Sequence, residues 1–139
     1  MKVDNYQSWA KDLFGGTCYA ACISYTSGKD DPIDITRDIL NGIEKGFVEL
    51  SGYVSKPHLF YNCCFGKEIA KDIRKVAISK ISDIPSEPTI VEMEQPNGKD
   101  SHFVICHFDG KNVVLDFDPS GISNSWKKQK FVSYRKFIK

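Results

Sequence analysis

The stretch HFVICHFDGKNVVLDFDPSG, residues 102–121, decides the expected fold of the C-terminal half. Two runs rich in β-branched and aromatic residues, HFVICHF and VVLDF, flank the turn-forming residues DGKN. The pattern predicts an antiparallel hairpin. With a three-residue loop at 109–111, His102 would lie directly opposite Asp118, at about 5 Å and on the same face. A two-residue loop would shift the register and separate them.

Further strands are predicted on both sides of this hairpin, and helices in the first half of the chain. Turn and capping residues mark the bounds of each element. KEIAKDIRKVAIS, residues 67–79, fits a helix followed by a strand, but its periodicity does not distinguish helix from strand. Helices first and a meander afterwards make a single α+β domain over residues 1–139. The predicted helices span about 18–25, 32–45 and 57–65, and the flanking strands about 89–94 and 130–137.

Composition and charge favour an ordinary globular protein. The chain has 41% hydrophobic and 27% charged residues and a net charge of +1, so it has no global field to attract nucleic acid or an anionic membrane. In the basic C-terminal run WKKQKFVSYRKFIK, basic residues alternate with aromatic ones, which would also suit nucleic-acid binding, but the run more simply fits a strand edge protected from aggregation. No apolar segment resembles a signal peptide or a membrane span, which predicts a cytoplasmic location. Five cysteines, with Cys63 and Cys64 adjacent, predict free thiols.

The segment GGTCYAACISYTSG, residues 15–28, contains the candidate nucleophile. Cys18 lies in the first turn of the predicted helix, where unpaired N–H groups and the helix dipole favour a thiolate. The two preceding glycines allow the backbone to turn and a substrate to come close. Cys22, one turn further on, has the surroundings of a core thiol.

A thiolate nucleophile needs a base, and the chain has three histidines. His58 follows a proline near a helix start and is expected to be exposed. His102 opens a strand, and His107 points to the opposite face of the same strand. A carboxylate, Asp116 or Asp118, should orient the imidazole. The hairpin register favours His102 with Asp118.

Two motifs resemble those of papain-like cysteine peptidases, most closely the compact bacterial group that includes bacteriocin-processing peptidase domains. CYAAC matches the CGxAC motif of that group, with Tyr19 where glycine is usual. HFVICHFDGKNVVLDFDP is similar to the HFVVV…DP signature, including the step of sixteen residues from His102 to Asp118. DIPSEPTIVEME resembles the segment before the histidine. The resemblance is specific around Cys18 and over residues 84–121.

This resemblance implies a papain-like fold and a peptidase that needs no metal or cofactor and acts on a peptide or protein. Cys18 would be the nucleophile, His102 the general base and acid, and Asp118 the orienting group. The family's oxyanion hole combines the cysteine N–H with a glutamine six residues upstream, where this chain has Asp12. A carboxylate cannot donate a hydrogen bond unless protonated, and a lost donor costs about 10²-fold in rate. Gln7 could replace it only if the intervening loop is longer.

Two other functions fit the sequence. Asp12 in place of glutamine also fits a papain-like binding module without catalysis. A metal site would draw its ligands from among His58, Cys63, Cys64, Cys106 and His107. Adjacent cysteines chelate poorly, and Cys106 and His107 point to opposite faces of their strand.

Overall fold

A computed structural model describes residues 16–94, 101–120 and 130–139. Within these ranges, three helices in the N-terminal half pack on a five-stranded antiparallel sheet. The α+β class is therefore confirmed. None of the helices in these ranges is long and apolar enough to cross a membrane. The elements are α1 (Cys18–Thr26), α2 (Pro32–Glu44), α3 (Pro57–Phe65), β1 (Asp72–Ala77), β2 (Thr89–Glu94), β3 (Ser101–Phe108), β4 (Val113–Phe117) and β5 (Lys130–Ile138).

The strand order is β1-β5-β2-β3-β4, with every neighbouring pair antiparallel. The predicted meander is correct only for β2, β3 and β4, because β5 inserts between β1 and β2. The basic C-terminal strand is therefore internal to the sheet, and its prediction as an edge was wrong. In the segment 67–79, whose periodicity did not distinguish helix from strand, residues 72–77 form strand β1.

Helix α2 has the predicted ends. The Asp31 carboxylate accepts a hydrogen bond from the Ile33 N–H at 2.8 Å, and Pro32 occupies the first turn. Ile35 and Ile39 are fully buried, whereas the neighbouring Leu40 is 53% exposed. The buried stripe of this helix is therefore narrow.

Helix α1 is the central helix of the layer and lies against α2, α3 and β3. Its middle residues are small or apolar and completely buried, among them Cys22, which is the predicted core thiol. The Tyr25 ring stacks on Phe117 of β4 with centroids 4.2 Å apart. Packing on both sides fixes the helix, and hence its first residue, relative to the sheet.

The hairpin register differs from the prediction. Phe108 pairs with Val113, so the loop has four residues, and the Asp109 carboxylate accepts hydrogen bonds from two backbone N–H groups within it. A bulge at Asp116 then shifts the register again, so that Ile105 pairs with Phe117. His102 is consequently not directly opposite Asp118. Continued past the end of β4, this register would bring residue 120 level with His102.

Candidate active site

Cys18 is the first residue of α1 and is partly exposed. Gly52, in the loop between α2 and α3, packs on the backbone just before this helix. Its φ is +89°, and a Cβ at this position would collide with the Gly16 carbonyl oxygen. Thr17 occupies the N-cap position, but its side chain makes no capping hydrogen bond. The start of α1 is therefore held by close backbone packing rather than by a side-chain cap.

His102 lies near the start of β3 and pairs with Met93 of β2, so a neighbouring strand holds its backbone. The residue is only 5% exposed. Its Nε2 lies 2.8 Å from Oδ1 of Asp118, and Cys18 is near enough to raise the pKa of the imidazole. Because Nε2 is directed to Asp118, Nδ1 is the ring nitrogen left to exchange a proton with the sulfur. The structure thus brings together Cys18, His102 and Asp118.

The surroundings of His102 favour the imidazolium. Burial by itself would lower the pKa of His102, but the hydrogen bond to Asp118, the proximity of Cys18 and the charges of these two groups raise it to about 9. Burial would likewise raise the pKa of Asp118, yet hydrogen bonds from His102 and Ser120 keep it below its ordinary value. A protonated imidazole between an ionised carboxylate and a sulfur can hold a thiolate or deliver a proton to a leaving group.

Ser120 is a further member of the site that the sequence analysis did not identify. Its N–H and its Oγ both donate to Oδ1 of Asp118, at 2.9 and 2.7 Å, and Oγ lies 3.3 Å from Nε2 of His102. The chain therefore turns back at Asp118 after β4 ends, which is how the carboxylate reaches His102 without direct cross-strand pairing. An Asp followed two residues later by Ser is typical of an Asx-turn, and this pattern is the sequence signal that could have identified Ser120.

Asp116, His107 and His58, the other candidates for the acid and the base, lie away from Cys18. Asp116 pairs with His107, with Oδ2 and Nδ1 2.8 Å apart, and does not contact His102. Asp116 is the extra residue of the bulge in β4, and its carboxylate is paired with His107 instead of His102. His58, predicted to be exposed, is half-buried at the start of α3. The hairpin thus contains two His–Asp pairs, and the one with Asp118 is the pair that meets Cys18.

Three of the other four cysteines are buried, whereas Cys63 is partly exposed like Cys18. All five are free, as predicted, and Cys22, Cys64 and Cys106 are buried. Burial raises the pKa of the Cys22 and Cys64 thiols well above their ordinary range and that of Cys106 to about 12. In the described ranges no three His, Cys, Asp or Glu side chains come together as a metal-binding group. The five residues considered for a metal site are not assembled into one.

Gln7 and Asp12, the two side-chain candidates for an oxyanion hole, lie outside the described residues. The Cys18 N–H is at the first position of α1, where it has no carbonyl partner one turn back within the helix. This N–H is a donor that could reach an oxyanion formed at the sulfur.

A cavity of about 600 Å³ lies beside Cys18 and extends over the sheet as far as β1 and β5. Tyr19 and Phe103 form part of its wall, with their rings stacked at 4.4 Å. Cys18 therefore lines a space large enough to receive part of a substrate. No protein-family model, curated protein or solved structure matches this chain significantly.

Proposed function

We propose that the protein is a cysteine hydrolase or acyltransferase in which Cys18 is the nucleophile, His102 the general base and acid, and Asp118 the orienting carboxylate. A peptide or related amide bond is the proposed substrate class, and the papain-like fold and family are part of the same proposal. The single observation that carries it is the position of His102, which is hydrogen-bonded to Asp118 through Nε2 and lies close enough to Cys18 for the sulfur to raise its pKa.

The proposed reaction passes through a thioester. The Cys18 thiolate attacks the carbonyl carbon, and the Cys18 N–H stabilises the oxyanion that forms. The His102 imidazolium gives its proton to the leaving amine as the C–N bond breaks. Neutral His102 then takes a proton from water or an acceptor amine, which attacks the thioester and releases the acyl group and the Cys18 sulfur.

The free thiols and the burial pattern support the proposal. A thiol enzyme needs a reduced nucleophile, and the three buried cysteines are poor competitors because burial disfavours their thiolates. A cytoplasmic location and the absence of nucleic-acid and membrane partners remain part of the proposal, on the charge and cysteine arguments from the sequence.

Iodoacetamide labelling with peptide mapping tests the proposal. At pH 6 to 7, Cys18 should be alkylated at least about tenfold faster than any other cysteine, because the imidazolium stabilises its thiolate. His102→Ala should remove this advantage. The matched control is His107→Ala, which breaks the other His–Asp pair of the same hairpin and should leave Cys18 labelling unchanged.

A second measurement addresses acyl transfer directly. Incubation with p-nitrophenyl acetate should give a burst of one p-nitrophenolate per chain and an acetyl group on Cys18, detectable by mass spectrometry. Equal alkylation of all exposed cysteines together with no acetyl-Cys18 would contradict a hydrolase and favour a binding module without catalysis.

A further inference from the structure

The cavity beside Cys18 contains charged groups that the proposed reaction does not use. They belong to three strands of the sheet: Lys75 on β1, Glu92 on β2 and Arg135 on β5. The insertion of β5 between β1 and β2 is what brings them together. Glu92 and Arg135 have side chains only 13% and 12% exposed, whereas that of Lys75 is 61% exposed. The cluster therefore extends from the buried floor of the cavity to its rim.

The Glu92 carboxylate is already fully engaged. Ser101 donates to Oε2 at 2.9 Å and Ser133 donates to Oε1 at 2.9 Å. Lys75 and Arg135 each lie 3.4 Å from Oε1. Burial alone would raise the pKa of Glu92, but these donors and charges lower it, so the group stays ionised. Because two hydroxyls and two cations surround it, Glu92 has little capacity left to receive a basic ligand.

Arg135 is held in place and retains donor capacity. Its guanidinium lies 5.2 Å from the ring centroid of Phe103 and 5.6 Å from that of Tyr19. Nη1 donates to Ser133 at 2.7 Å, and Nη2 is directed to Glu92. A guanidinium has five N–H groups, which is more than these two described acceptors use. The planar fork is suited to bidentate recognition of a carboxylate.

The charges of the cavity do not cancel. Among the described residues that line it, Lys75 and Arg135 are cations and Glu92 is the anion, so one positive charge is in surplus. A basic substrate group would add a third cation to this cluster. A purely apolar group would cover the buried Arg135 without replacing the water it displaces. An acidic group balances the charge and satisfies the donors.

We propose that this cavity selects substrates with a glutamate or aspartate side chain, whose carboxylate binds between Arg135 and Lys75 while its methylene groups contact the rings of Tyr19 and Phe103. This inference rests on the proposed function of Cys18, which lines the same cavity. It assigns Arg135 and Lys75 to substrate binding and Glu92 to holding them in position. The acidic residue lies close to the bond that Cys18 attacks.

Binding of small amino-acid derivatives tests the selectivity without any chemistry. Labelled Cys18→Ala protein is titrated with N-acetyl-glutamate amide, N-acetyl-glutamine amide and N-acetyl-lysine amide, and backbone amide shifts are followed by NMR. The glutamate derivative should shift the amides of Glu92, Phe103 and Arg135 saturably, with a Kd at least about fivefold lower than that of the glutamine derivative. The lysine derivative should bind most weakly.

Single-charge variants identify the groups responsible. Lys75→Gln should remove most of the preference for glutamate over glutamine, and Lys75→Glu should reverse the order of the glutamate and lysine derivatives. Lys75 is used because it is exposed and its replacement leaves the buried Glu92–Arg135 contact in place. Lys136→Gln, which removes an exposed charge from β5 outside the cavity, should change none of the three Kd values.

The outcomes separate the two proposals. Equal binding of the glutamate and glutamine derivatives, or shifts confined to residues away from the cavity, would overturn the acidic selectivity even if Cys18 is selectively alkylated. Selective glutamate binding combined with an unreactive Cys18 would instead overturn the hydrolase and leave the acidic site standing.

Discussion

The ring of Tyr19, the residue after Cys18, stacks on the ring of Phe103, the residue after His102, with centroids 4.4 Å and planes 16° apart. One aromatic contact thus joins the start of α1 to the start of β3 beside the sulfur and the imidazole. Tyr19 stands where the resembled motif has glycine. The stack gives that departure a physical role, because it fixes the distance between two elements that share no backbone hydrogen bonds.

Tyr19→Ala should therefore slow alkylation of Cys18 by iodoacetamide at pH 7 by about tenfold or more, since a nucleophile and base that are misplaced by about 1 Å lose much of their cooperation. Tyr19→Phe retains the stacked ring and should stay within about twofold of the wild type. Tyr61→Ala is the matched control. It removes a similar stack, in which the ring of Tyr61 on α3 lies 4.0 Å from that of Phe137 on β5. A similar loss of alkylation rate in Tyr61→Ala would mean that general destabilisation is responsible.

The protonation of His102 can be followed directly by NMR of its ring nitrogens. His102 should titrate with a pKa of about 9, well above the ordinary 6.5. Asp118→Asn and Cys18→Ala each remove a group that favours the imidazolium, and each should lower this pKa. Asp116→Asn, which alters the neighbouring His107 pair, should not change it. A titration of His102 near 6.5 in the wild type would be inconsistent with the contacts described.

The same shift has a consequence for stability. A folded-state pKa above the unfolded value means that the native protein binds the His102 proton more tightly. The resulting stabilisation is complete below pH 6.5 and is lost as the pH rises to about 9. The free energy of unfolding in urea should therefore fall over this interval, and it should fall less steeply in His102→Gln.

Ser120→Ala tests a residue that acts through Asp118 and His102. The loss of one hydroxyl hydrogen bond should lower the rate of Cys18 acylation by about three- to tenfold. It should also shift the alkaline limit of the pH–rate profile to lower pH, because the loosened carboxylate supports the imidazolium less well. Ser120→Thr keeps the hydroxyl and should restore both values. An unchanged pH profile in Ser120→Ala would show that the serine only shapes the turn.

Gly52→Ala probes the contact that fixes the start of α1. The added methyl group would collide with the Gly16 carbonyl oxygen in a backbone conformation that already disfavours a side chain. We expect a loss of about 1–3 kcal/mol in stability and slower alkylation of Cys18. Gly46→Ala has a similar φ of +79° but meets no atom within 4 Å, so it reports the backbone strain alone. Equal alkylation rates in the two variants would argue against the contact.

The sequence by itself determined the local features. Capping residues and glycines fixed the ends of α2 and α3, because these signals act over a few residues. The alternation of residue types identified β2, β3 and β4. The position of Cys18 in the first turn of a helix followed from the same local rules and was found in the structure. His102 and Asp118 were also predicted to meet, but the cross-strand register from which this was predicted is not the one observed.

The tertiary structure alone decided how these elements meet. The bulge at Asp116 and the turn at Asp118 depend on which side chains find partners, so the predicted register was wrong although His102 and Asp118 do meet. The insertion of β5, which brings Arg135 to Glu92, joins residues 43 positions apart in sequence. Periodicity describes which face of a strand is buried but does not state which strand lies beside it, because pairing is settled by the packing of the whole sheet.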